Sequence, residues 1–474
     1  MRLRLTELAL VLLEDKIPEV FKTLPVTKKL HLTAFFSLIY ASISLLQRIL
    51  SMLIEFSVSN FKSFRNRQTL SMVASPRLGK RENVISPKVK GEKLPNLLKV
   101  AAIYGPNASG KSSLLAAIDF VRDVAIRAQH RSDKTLPSSY FRFDASLEEE
   151  PSTFEYHFIQ KGMRYQYLLS ANQNRIVFEE LTAFPSGKER LLFKRSLIDA
   201  KEVYEFGPTL EGGEQVHEAW RKITSPRSLY LAQAAQNSSE DMTQLKIPYS
   251  WFDSSCLVID QNSLSNWSRA SRKVLAAMPD TAADLSNFLG DVDIPIESIS
   301  ITAKDGRDEE MIGETFKSLE DFNSFDKETK TTLIHKSALG DADFDFSEES
   351  EGTKNLIGFW LPWFTLGLKN NNEDDNLTLI IDELDSSLHP KIVANIVKRH
   401  IASTLRSQLI FTTHDTHLMN SKILRRDQFW ITERDKNAAT RLFSIHDFEG
   451  REGEDLERRY FAGRYRGLPL TKDV

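Results

Sequence analysis

Residues Gly105-Pro106-Asn107-Ala108-Ser109-Gly110-Lys111-Ser112 match the pattern GxxxxGKS, and their flanks restrict the fold more than any other stretch of the chain. Leu98-Lys99-Val100-Ala101-Ala102-Ile103-Tyr104 reads as a buried strand, and the run from Ser113 to Val121 as a helix that starts at the loop. Strand, glycine-rich turn and helix in that order make a phosphate cradle. The glycines let successive backbone N–H groups turn inward, and the helix N-terminus adds a partial positive charge. Lys111 is placed to reach the outer phosphates and the Ser112 hydroxyl to ligate Mg²⁺. The predicted nucleotide-binding set is therefore Gly105, Pro106, Asn107, Ala108, Ser109, Gly110, Lys111, Ser112 and Ser113.

Bulk composition excludes several other classes. Lys and Arg number 62 against 65 Asp and Glu, a net charge of −3, so no global field draws the chain to nucleic acid or an acidic membrane. Cys256 is the only cysteine, which rules out an internal disulfide and any multi-cysteine metal site; a reducing, cytoplasmic location is the expectation.

The first 51 residues stand apart. Leu30 to Gln47 carries no Asp, Glu, Lys or Arg and, at about 1.5 Å per helical residue, approaches the thickness of a bilayer core. Its serines, threonine and histidine weigh against a membrane span, and Glu7, Glu14, Asp15 and Glu19 do not resemble the basic start of a signal peptide. The remaining readings are a helix packed on the body or a partner, and an extension upstream of a start at Met52.

A second apolar strand, Leu377-Thr378-Leu379-Ile380-Ile381, ends in Asp382 and Glu383. A carboxylate there belongs to the Mg²⁺ site of a phosphate-loop nucleotidase, and the next one can polarise an attacking water; Asp382 is read as the metal residue and Glu383 as the general base. More than half the chain separates Lys111 from Asp382, so a large insertion divides the site. Upstream, Ser350-Glu351-Gly352-Thr353 opens a helix with hydroxyls and a glycine suited to a γ-phosphate. Downstream, Phe411-Thr412-Thr413-His414-Asp415 is a strand end carrying His414. Between the antiparallel strands expected near 153–181 and the parallel strands at 377–381 and 408–412, residues 211–345 read as mainly helical. Asp341, Asp343 and Asp345 read as a solvated strand rather than a metal site.

Taken in order, these motifs resemble the ABC-type ATPase heads of the SMC, RecF and OLD group. They are closest to the RloA-like and AbiLii-like ATPases of bacterial defence loci, on the strength also of Met52 to Phe64 and of Tyr460-Phe461-Ala462-Gly463-Arg464-Tyr465. The resemblance implies an α/β fold: an ABC-type P-loop head with a mixed β-sheet, an antiparallel β-subdomain and an inserted, mainly helical lobe. It divides the chain into an extension 1–51, a lobe 52–210 with the phosphate loop, an insertion 211–345 and a lobe 346–474. It makes Ser350 and Gly352 a signature that acts in trans on ATP and Mg²⁺ held by a second copy, Asp385 the D-loop residue and His414 the catalytic switch histidine. It implies an ATP-dependent homodimer or higher homo-oligomer that controls a nuclease or toxin effector.

The alternative reading is a DNA-binding repair ATPase, for which Arg122, Arg127 and Arg131 are the basic candidates. Glu351 and Thr353 stand where transporter ATPases have other residues, which argues against a transport role. No Q-loop glutamine is placed by the sequence; the segment 140–144 lies where that connection is expected.

Overall fold

The computed structural model describes residues 51–130, 135–304, 325–368, 377–403, 406–420, 422–450 and 454–468. The readings for residues 1–50, Arg131 and the polar tract 370–376 lie outside them.

In chain order the strands of the three larger sheets are β1 (Ser51–Ser59), β2 (Gln68–Ser71), β3 (Val100–Tyr104), β4 (Ser152–Gln160), β5 (Met163–Ala171), β6 (Ile176–Ala183), β7 (Arg190–Ile198) and β8 (Lys201–Phe206). They continue as β9 (Cys256–Ile259), β10 (Ile296–Ala303), β11 (Thr329–Ser337), β12 (Gly340–Asp345), β13 (Thr378–Ile381), β14 (Gln408–Thr412), β15 (Phe429–Arg434) and β16 (Thr440–Ser444). An antiparallel sheet runs in the order β8-β7-β6-β5-β4-β1-β2. The central sheet runs β9-β13-β14-β3-β15-β16, parallel except for the last strand. Strands from both ends of the chain thus meet side by side, as the sequence predicts.

Period-two alternation places the central sheet between two cores. Ala101, Ile103, Ile380 and Ile410 face one, shared with the antiparallel sheet and with helix α1 (Lys111–Ile118). Val100, Ala102, Tyr104, Leu379, Ile381, Leu409 and Phe411 face the other. Burial on both faces is why these strands read as continuous apolar runs. Two polar contacts register the layers. Gln408, fully buried, donates to Leu53 O at 2.9 Å and accepts from Leu53 N at 2.7 Å, and Tyr156 donates to Ala117 O at 2.9 Å near the end of α1.

Two expectations need correcting. The first strand opens at Ser51, inside the stretch assigned to the extension. Residues 211–345 contain helices such as α2 (Gly213–Ile223), α3 (Leu264–Ala277) and α4 (Ala282–Gly290), but they also supply β9 to the central sheet and a separate antiparallel sheet, β10-β11-β12. Cys-Leu-Val-Ile is too short a run for periodicity to separate strand from helix, and β11 is mostly threonine, lysine and histidine around one buried Leu333. The small sheet and α4 pack with α5 (Glu351–Leu368) around Leu285, Leu289, Ile299, Leu333, Leu356 and Trp360. Asp341 and Asp343 are exposed on β12, as read from the sequence. Among the described residues no helix is long and apolar enough to cross a membrane.

Candidate functional site

β3 delivers the phosphate loop at the carboxyl edge of the parallel sheet. Gly110, at the N-cap of α1, has φ 106°, and a Cβ there would lie 2.1 Å from Thr440 Oγ1, so no side chain fits. Thr440 Oγ1 donates to Ser109 O at 2.8 Å, while the Ser109 and Thr432 hydroxyls are 2.5 Å apart. The loop is therefore braced from behind by β15 and β16. Lys111, 6% exposed, donates to Gly105 O at 2.9 Å and Pro106 O at 3.2 Å. Burial lowers its pKa, opposed by the charges of Glu383, Asp382 and Asp385 in that order. Two carbonyls are weak partners for a desolvated cation, and an anion in the loop would compete well for it.

β14 lies between β3 and β13, so its carboxyl end separates the loop from Asp382. Thr412 uses that position. Its hydroxyl donates to Asp382 Oδ1 at 2.6 Å and accepts from Glu383 N at 2.7 Å. Glu383 has φ 50°, a left-handed conformation that costs a non-glycine residue about 1 kcal/mol or more and persists only where its surroundings hold it. Gln261, just after β9, donates to Glu383 Oε2 at 3.0 Å. His414 donates its backbone N–H to Asp385 Oδ2 at 3.1 Å and leaves its side chain exposed.

The structure thus brings Gly105 to Ser113, Asp382, Glu383, Asp385 and His414 to one sheet edge. Ser350 and Gly352 are placed differently. Ser350 accepts from Thr353 N at 3.1 Å as the cap of α5, and a Cβ on Gly352 would lie 2.6 Å from Ser387 O in the turn after Asp385. No hydrogen bond or ion pair among the described residues links either to the phosphate loop.

Hard oxygen donors suit Mg²⁺. Ser112 is exposed at the helix start, and Asp382 spends only Oδ1 on Thr412. Among the described residues no cluster of three or more His, Cys, Asp or Glu side chains could hold a metal.

Sequence reasoning missed Gln261, Thr412, Thr432 and Thr440. The segment 140–144, which lies where the Q-loop connection is expected, packs on the 60–65 turn: Phe141 N donates to Asn60 Oδ1 at 3.0 Å and Arg65 pairs with Asp144. The residue against Glu383 is Gln261, whose only sequence signal was its place after a short apolar run. Arg122 is paired with Asp119 at 2.8 Å.

Residues 100–420 match the sequence model of the family described as "AAA domain, putative AbiEii toxin, Type IV TA system". No curated protein matches the chain. Among solved structures, the SMC head domain from Thermotoga maritima is 14% identical, covering 83% of this chain and 98% of that one at a TM-score of 0.37. An Smc head with an extended coiled coil, bound to the C-terminal domain of ScpA and derived from Pyrococcus furiosus, is 11% identical over 84% and 97%, with a TM-score of 0.41. The recombination mediator RecF bound to ATP is 15% identical over 78% and 94%, at 0.32.

Proposed function

Because the chain belongs to this AAA-domain family, we propose that it binds and hydrolyses ATP with Mg²⁺, in a site completed by a second copy of itself, and that the nucleotide state switches a partner effector in antiviral defence. The observation that carries the reading is the Thr412–Asp382–Glu383 arrangement one strand away from Lys111. Lys111 and the loop N–H groups would take the β- and γ-phosphates, and Ser112 and Asp382 would hold Mg²⁺. That ion supplies charge neutralisation at the phosphates. Glu383, oriented by Thr412 and Gln261, would accept the proton of the attacking water. Gln261, which bonds the base, would couple its orientation to whether a γ-phosphate is present.

Ser350 and Gly352 are turned to solvent or to their own D-loop turn, which supports action on a neighbouring copy's nucleotide. ATP would then act as a bridge between protomers, and its differential affinity for the closed pair would set the population of that state. The defence role rests on the family, whose description names a toxin and a toxin–antitoxin system. Glu383→Gln protein sized by light scattering with and without Mg-ATP tests the core reading: a stable ATP-dependent dimer is expected, and a species of unchanged mass would refute it. Isolating that trapped form from its host tests for an effector; capture of no nuclease or toxin would remove the defence arm.

A further inference from the structure

The sequence motif from Tyr460 to Tyr465 has no part in the nucleotide chemistry above, and the residues in and around it divide into two sets. One set builds a turn. Helix α6 (Leu456–Phe461) is followed by Gly463 at φ 72°, whose N–H donates to Tyr460 O at 2.8 Å. The Tyr460 hydroxyl donates to Gly467 O at 2.8 Å, and Tyr465 is fully buried. Two contacts tie the turn to the nucleotide edge. The Tyr460 ring meets the ring of Tyr104, the residue before the phosphate loop, at 6.5 Å, and Thr416, two residues beyond His414, donates to Glu457 Oε1 at 2.7 Å.

The other set has no task within the chain. Phe461 is 61% exposed, although it lies one helical turn after Glu457 on the face that meets Thr416. Arg458 and Arg464 are exposed, and neither has an ion-pair partner among the described residues. An aromatic ring with guanidinium groups beside it is the composition enriched at the centre of protein interfaces.

A surface of opposite charge lies on the same chain. Asp341 and Asp343 are exposed, and their two-residue spacing puts them on one face of β12. Lys336 stands opposite Asp341 across the strands but pairs with Glu297 at 3.3 Å, and neither aspartate has an ion-pair partner among the described residues. β12 leads through residues 346–349 directly into Ser350. The cationic turn therefore borders the half of the site that holds phosphate, and the acidic strand borders the half presented outward.

We propose that Arg458, Phe461 and Arg464 of one copy dock on Asp341 and Asp343 of a second copy, twice in a two-fold pair, and so set the register in which Ser350 meets the other phosphate loop. The proposal rests on the two-copy reading above and adds the surface that aligns the copies. The same contact takes the Phe461 ring out of water.

The test is sedimentation of the full chain carrying Glu383→Gln, with Mg-ATP, over a range of protein concentrations. Adding Arg458→Glu and Arg464→Glu should weaken the pair by about ten-fold or more, as should adding Asp341→Lys and Asp343→Lys. All four reversals in one chain bring opposite charges together again and should return the pair to within about three-fold of its parent. Phe461→Ala should weaken it by about ten-fold. ATP affinity of the dilute single chain should stay within about two-fold throughout; a loss there would place the turn in the nucleotide site and overturn the proposal. Pairing unaltered by either set of reversals would overturn it as well, as would a chain with all four reversals that pairs no better than one with two. A Glu383→Gln parent that stays single with Mg-ATP would overturn the two-copy reading and this proposal with it.

Discussion

The phosphate-loop edge of the central sheet and the start of helix α5 are built in opposite ways. At the sheet edge, Lys111, Asp382 and Thr412 are buried, and one threonine hydroxyl orients two carboxylate residues at once. At α5, Ser350 is exposed and its hydroxyl is spent on Thr353 of its own helix, while Gly352 presses against Ser387 O. The first region is preorganised within one chain; the second is presented outward. Under the proposed reading, a site with one half of each kind would be assembled between chains, and its chemistry would wait on that assembly.

Three substitutions separate the regions and a fourth serves as a remote contrast, in order of expected effect. Ser350→Arg should reduce hydrolysis to background by blocking the outward half, while ATP affinity of the single chain stays within about two-fold. Loss of the Ser350 cap should cost about 1 kcal/mol, which thermal unfolding would detect separately. Glu383→Gln should leave ATP bound and slow hydrolysis by about 10²–10⁴, the usual contribution of a general base; a steady-state rate within ten-fold of wild type would remove Glu383 from that role.

His400 gives a contrast remote from both regions. It is buried, donates from Nε2 to Ser407 O at 3.1 Å, and its pKa is lowered from 6.5 to about 4 by desolvation. Between those values the unfolded chain binds more protons than the folded one. The stability this group contributes is thus complete above pH 6.5 and falls by about 3 kcal/mol as the pH drops to 4. Urea unfolding across that range should show the slope, and His400→Gln should flatten it. The smallest effect is expected from Gln261→Ala, about ten-fold in hydrolysis with binding unchanged, since water can replace one exposed hydrogen bond to Glu383. A fall in ATP affinity instead would make Gln261 a ligand-binding residue.

What could be read from the sequence follows the same division. The loop, Asp382 and Glu383 were legible because fixed glycine spacing and fully buried apolar strands leave a signature in adjacent residues. The consecutive strands β4, β5 and β6 were legible from their aromatic and β-branched runs and the turns between them. Thr412, Thr432, Thr440 and Gln261 were not, because each gains its meaning from the register of strands not adjacent in the chain: Gln261 meets Glu383 only because β9 pairs with β13. The small sheet β10-β11-β12 was hidden by its polar outer faces, with few apolar residues to mark the alternation.

The claim that the two regions complete each other across chains is tested most directly by mixing two inactive proteins. Ser350→Arg keeps the loop and the base but lacks the outward half, whereas Glu383→Gln keeps the outward half and lacks the base. Measured separately and then together at equal concentration with Mg-ATP, the mixture should regain a substantial fraction of wild-type hydrolysis through one intact composite site per mixed pair. A mixture no more active than its components, alongside wild-type specific activity independent of protein concentration, would contradict the account.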